Sequence, residues 1–151
     1  MPQSHAQVWL HVVFSTKNRT AYLRDKTVRN QMFRMLAHHV KEAGCVVATV
    51  GGHVDHVHLL AGLARTLKIC TLIEVIKTET SKWAKNVDGG DKSFAWQSGY
   101  GVFSVSYSNL ASVENYITNQ EAHHAKRSYQ DEFRLLCEKH GLEIDERYVW
   151  D

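Results

Sequence analysis

A chain of 151 residues is long enough for one domain with a sizeable core and short for two. Its 44% hydrophobic and 23% charged content exclude a disordered or membrane-embedded protein, and no apolar run nears the roughly 20 residues of a spanning helix. A net charge of +2 gives no strong global pull toward polyanions, so local clusters matter more than the total.

The three cysteines (Cys45, Cys70, Cys137) are far apart with no CxxC, which predicts reduced thiols in a cytoplasmic protein. The N-terminus lacks the basic start of a signal peptide. In chain order, QVWLHVVFS (7–15) crowds β-branched and aromatic residues and predicts a first strand. Val28, Met32, Met35, Leu36 and Val40 recur at helical spacing, predicting a helix over 25–43 that stops at Gly44. CVVATVG (45–51) and HVHLLAG (56–62) read as two strands of a hairpin.

A second helix follows over 66–85, with Ile69, Leu72, Ile73, Ile76 and Trp83 as its apolar stripe, then a turn-rich loop at 86–92. FAWQSGYGVFSVS (94–106) reads as a strand bent at Gly99 and Gly101. Helices over 112–125 and 129–140 complete the pattern, with a short tail as a strand or irregular cap. The order β-α-β-β-α-β plus two helices predicts an α+β, ferredoxin-like (split β-α-β) antiparallel sheet in one domain over 1–151. Many functions use this fold, so it decides nothing alone.

The chemistry concentrates in GGHVDHVHLLAGL (51–63). Residues two apart on a strand share a face, so His56 and His58 project together while Val57 and Leu59 turn to the core. Two adjacent neutral imidazoles are half of a divalent-metal site. Chance alone supplies about 0.65 such pairs in a chain this rich in histidine, so a structural pair remains the alternative. On the helix at 112–125, Tyr116 and Gln120 lie one turn apart on one face, placing an amide oxygen beside a phenol. A buried tyrosine with a solvated glutamine is the plain alternative.

Taken in order, WLHVVFSTKNR (9–19), DHVHLL (55–60), WQSGYGVFSVS (96–106) and NYITNQ (115–120) resemble the single-tyrosine transposases of the HUH superfamily, the insertion sequence 200-like enzymes of bacteria. The resemblance implies Tyr116 as nucleophile and His56, His58 and Gln120 as ligands of Mg²⁺ or Mn²⁺. It implies cleavage and rejoining of single-stranded DNA at hairpin-bearing element ends through a covalent 5′-phosphotyrosine. It also implies a homodimer, in which the Tyr116 helix of one chain can complete the partner's site.

Tyr100, Tyr107 and Tyr129 compete for the nucleophile role but have no metal-type partner one turn away. Asp55 is placed to orient a histidine or simply to form the turn, and His53 has the wrong alternation to join His56 and His58. His123 and His124 are candidates to approach the metal or the DNA, against the plain reading of exposed histidines near a helix end. For phosphate contacts the sequence offers Lys17, Arg19, Arg24, Lys26 and Arg29 after the first strand, Lys77, Lys82 and Lys85 on the second helix, and Lys126 with Arg127. Solvated charge is the bland alternative for all of these. Trp9 and Trp83 fall on apolar stripes, while Trp96 and Trp150 are candidates for stacking bases. Competing functions are a domesticated relative acting on chromosomal repeats, a non-catalytic nucleic-acid-binding module, and a metal-dependent hydrolase that uses water.

Overall fold

The computed structural model describes residues 2–151. Its scaffold is a four-stranded antiparallel sheet of β1 (Trp9–Ser15), β2 (Val46–Gly52), β3 (His56–Gly62) and β4 (Gly101–Val105), in the order β2-β3-β1-β4. The expected split β-α-β arrangement is therefore present. β1 and β3 are central and pair in a register that sets Val13 opposite His58 and Ser15 opposite His56. Nearly every residue of both strands is buried, as strands covered on two faces must be.

The two faces carry different cargo. Leu10, Val12, Phe14, Val57, Leu59 and Ala61 point to one side, against α1 (Lys26–Glu42) and α2 (Ile69–Asn86). There Met32, Leu36, Val40, Leu72, Ile73 and Ile76 complete the main core; each such side chain contributes about 1.5–3 kcal/mol by burial. Asp25 starts α1 where predicted, its carboxylate accepting from the Thr27 and Val28 amides.

The opposite face carries His11, Val13, His56 and His58. It is covered by the chain after β4: α3 (Leu110–Thr118), α4 (Gln120–His124) and α5 (Tyr129–Lys139). Phe103, Tyr129, Phe133 and Cys137 form a second, smaller core with Val13, and Trp150 packs on Phe133 at 5.9 Å. The tail takes irregular turns rather than a strand, leaving Trp150 as part of this core. Trp96 also goes to a core, donating its Nε1 to Thr80 Oγ1 at 3.0 Å.

Two predicted elements change shape. The strand expected over 94–106 starts only at Gly101, because the preceding carbonyls are taken by a side chain. Lys77 Nζ donates to Gln97 O (2.9 Å) and Gly99 O (2.6 Å), and the Thr16–Trp96 bridge is isolated. The helix expected over 112–125 breaks at Asn119, whose φ of −101° and ψ of 25° leave the helical region. Its side chain donates to Asn115 O at 2.9 Å, a local bond that competes with the helical ladder.

Candidate active site

The site is built from the central strand outward. Gly52, with φ of +156°, makes the turn into β3; a Cβ there would lie 2.2 Å from His56 O. Gly51 does a different job. It lets α3 cross the sheet edge so closely that a Cβ would fall 2.5 Å from the Ile117 carbonyl oxygen. These two glycines therefore deliver the histidine strand and the tyrosine helix to the same place.

His56 and His58 are both fully buried on the α3–α5 face. His56 Nδ1 donates to Asp55 Oδ1 (2.8 Å), and its Nε2 lies 3.0 Å from Gln120 Oε1. Asp55 thus takes the orienting position open to it in the sequence. His58 is held between His11 Nε2 on its Nδ1 (2.8 Å) and Glu132 Oε1 on its Nε2 (2.9 Å). Burial lowers the His58 pKa to about 4 against the pull of Glu132. Burial and then the neighbouring His58 lower His11 to about 3. Both imidazoles are neutral near pH 7.

Two further side chains enter that the strand pattern does not announce. His124 Nε2 lies 2.9 Å from Gln120 Oε1 and 3.3 Å from Glu132 Oε1. Glu132, from the first turn of α5, is 2% exposed, with Oε1 in the cluster and Oε2 accepting from the Tyr116 hydroxyl. Burial pushes the Glu132 carboxyl up, but hydrogen bonds from His124 and His58 outweigh it and hold the group well below the usual carboxylate range. The Tyr116 phenol is pushed up, first by burial and then by the Glu132 charge.

The donor atoms converge in a way that suits a cation. His56, His58 and Glu132 offer ligand atoms within 4.8 Å of one another, and five contacts join them with Gln120 Oε1 and His124 Nε2: His56–Gln120 at 3.0 Å, His58–Glu132 at 2.9 Å, His124–Gln120 at 2.9 Å, His124–Glu132 at 3.3 Å and His56–Glu132 at 3.5 Å. Ligands about 2.1 Å from a metal stand about 3.0 Å apart at octahedral angles and about 3.4 Å at tetrahedral ones.

The other expected residues fall as follows. Tyr116 is half-buried and lines a cleft of about 550 Å³ with Phe103, Leu136, Arg127 and Lys139. Tyr129 stacks on His56 at 4.7 Å but sends its hydroxyl toward Gln97, whereas Tyr100 and Tyr107 are exposed. His53 stacks on His124 at 5.5 Å, and exposed His123 lies 4.7 Å from the Tyr116 ring.

The basic residues divide three ways. Lys17 and Arg24 are exposed, and Arg19 rests over Trp150 at 5.8 Å. Arg29 is buried, donating to Leu23 O at 2.9 Å and pairing with Glu121 at 2.7 Å, which makes it a brace between α1 and α4. Lys82 and Lys85 are exposed on α2, on the sheet face away from the histidines.

Fold and site together define a ferredoxin-like sheet with a histidine-bearing strand at its centre. Residues 4–120 match the model of the IS200-like transposases, and the chain belongs to that family. Solved structures share the fold. A candidate transposase from Deinococcus radiodurans R1 is 22% identical with a TM-score of 0.57, over 80% of this chain and 98% of that one. A REP-associated tyrosine transposase, solved bound to a REP hairpin, is 13% identical with a TM-score of 0.60, over 82% of this chain and 73% of that one. No curated protein matches the chain. Among the described residues, no helix is long and apolar enough to cross a membrane.

Proposed function

We propose that this transposase cuts and rejoins single-stranded DNA by transesterification, with Tyr116 as nucleophile and a divalent cation held by His56, His58 and Gln120. The observation that carries the reading is the convergence of buried imidazole and amide donors beside one tyrosine hydroxyl, joined to it through a single carboxylate. When bound, the cation supplies Lewis-acid polarisation of a non-bridging oxygen on the scissile phosphate. The mixed imidazole and oxygen set suits Mn²⁺ better than Mg²⁺.

Tyr116 Oη bonds to phosphorus as the P–O3′ bond breaks, leaving a 5′-phosphotyrosine and a free 3′-hydroxyl; the proton lost by the phenol balances the one gained by the 3′-oxygen. The phosphodiester energy stays in the covalent link, so a 3′-hydroxyl can reverse the step without a nucleotide cofactor. His56 is oriented by Asp55 and His58 by His11, which fixes both rings before substrate arrives. Arg127 and Lys139 at the cleft supply positive charge for the DNA backbone. The REP hairpin held by the similar transposase supports hairpin-bearing DNA as the partner. A homodimer is part of the proposal, although one chain already brings Tyr116 to its own Glu132.

The test is a denaturing gel of labelled single-stranded DNA from the gene's flanks, incubated with the protein and Mn²⁺. A covalent adduct that disappears in EDTA, in Tyr116→Phe and in His56→Ala is the expected result. Cleavage that survives Tyr116→Phe without an adduct would replace the nucleophile with activated water.

A further inference from the structure

We infer that Glu132 is a ligand of the same cation through Oε1 and the positioning group of Tyr116 through Oε2, so that α5 is a working part of the site. This rests on the metal-and-tyrosine reading above and extends it, since α5 lies beyond the residues that match the family.

Glu132 is almost wholly buried, and among the described residues its ion-pair partners are histidines alone: His56 at 3.5 Å, His58 at 2.9 Å and His124 at 3.3 Å. No Arg or Lys side chain pairs with this carboxylate among the described residues, so no permanently charged group faces it. A buried carboxylate without a matching positive charge is costly, and a cation in the donor cluster offsets it.

The two carboxylate oxygens face different partners. Oε1 lies among the imidazole nitrogens, while Oε2 accepts from the Tyr116 hydroxyl. One rigid carboxylate therefore spans from the cation position to the attacking oxygen. Its rigidity is built in: Ser128 caps α5 by accepting from the Asp131 amide, and Phe133 and Cys137 lock the helix into the second core. Tyr116 and Glu132 stand on different helices, so the contact sets the distance between α3 and the cation position.

The experiment uses the full chain, stripped of metal, titrated with Mn²⁺ by calorimetry and with Co²⁺ by visible absorption. Wild type, Glu132→Gln and Tyr116→Phe are compared. The inference expects Glu132→Gln to weaken Mn²⁺ binding about tenfold or more and to shift the Co²⁺ bands, while Tyr116→Phe stays within about threefold. It also expects Glu132→Gln to form adduct slowly even at saturating Mn²⁺. Wild-type Mn²⁺ affinity and an unchanged Co²⁺ spectrum in Glu132→Gln would overturn it. If Glu132→Gln does not melt cooperatively, Glu132→Asp serves in its place. That variant keeps the charge but loses reach, so slow adduct formation with metal still bound is expected, and wild-type rate with wild-type affinity overturns the inference. Mn²⁺ binding through Glu132 with no adduct in any protein would support the ligand role and overturn the nucleophile reading, so the two fail separately.

Discussion

Replacing Gly51 with alanine adds one methyl group at the point where α3 crosses β2, far in sequence from Tyr116 but adjacent to it in the fold. The new Cβ would stand 2.5 Å from Ile117 O and 2.9 Å from Ile117 Cγ2, about 1 Å inside ordinary contact. The nearest atom is backbone, so no rotamer change relieves the clash, and α3 must move as a unit. Overpacking of this kind costs about 1–3 kcal/mol, and in a domain of this size each kcal/mol lowers Tm by about 2–4 °C. Tyr116 is the residue before Ile117, so the same shift carries its hydroxyl away from Glu132. A 1 Å misplacement of a reacting group can cost about 10²-fold in rate. Gly51→Ala is therefore expected to melt measurably lower and to form adduct about two orders of magnitude more slowly at temperatures where it is folded. Thermal unfolding by circular dichroism and single-turnover adduct formation read the two effects. Wild-type Tm together with wild-type adduct rate would refute the claim that Gly51 is kept small by α3.

Other outcomes follow from the same geometry. His11 and His58 have folded pKa values of about 3 and about 4, below the ordinary 6.5. Their stabilisation is complete above about pH 6.5 and is lost as pH falls toward 4, by up to about 1.4 kcal/mol per pH unit for each; urea titrations of metal-free protein from pH 7 to 4 measure this slope. His11→Ala removes the partner of His58 Nδ1 and is expected to weaken Mn²⁺ binding about 10–100-fold, read by calorimetry. Lys82→Glu with Lys85→Glu alters the sheet face away from the site and should leave adduct rate within about twofold, whereas Arg127→Glu at the cleft should weaken single-stranded DNA binding and flatten its salt dependence, read by fluorescence anisotropy. Arg29→Ala removes an ion pair to the exposed Glu121 and leaves the Leu23 and Arg24 carbonyls without their guanidinium donor, and is expected to destabilise by about 1–3 kcal/mol in chemical unfolding.

Much of this arrangement is legible in the sequence because local rules govern it. Strand alternation alone places His56 and His58 on one face and Val57 with Leu59 on the other. Helical spacing puts Gln120 one turn after Tyr116, and that relation survives the break at Asn119, since Gln120 Nε2 still donates to Tyr116 O at 3.3 Å. Glu132 is harder to find because its meaning is tertiary. Its one local sign is a carboxylate at a stripe position of α5, beside Tyr129, Phe133 and Leu136, where an apolar residue is expected. His11 carries a similar sign, as a polar residue inside a strand buried on both faces. Gly99 and Gly101 signal an irregularity in the strand over 94–106, but its late start at Gly101 is not legible, because Lys77 reaches across from α2 to the Gln97 and Gly99 carbonyls.

The sheet acts as a partition between two kinds of selection. Neighbouring positions on β3 answer to different demands: Val57 and Leu59 pack against α1 and α2, whereas His56 and His58 hydrogen-bond Gln120 and Glu132, so under the proposed mechanism a change there reaches the reaction. Core substitutions that raise stability can therefore be sought in Met32, Leu36, Val40, Leu72 and Ile76 with little bearing on the reaction. On the other side every gain in rigidity is also a change in the tool, because the residues that pack α5 are the ones that aim Glu132.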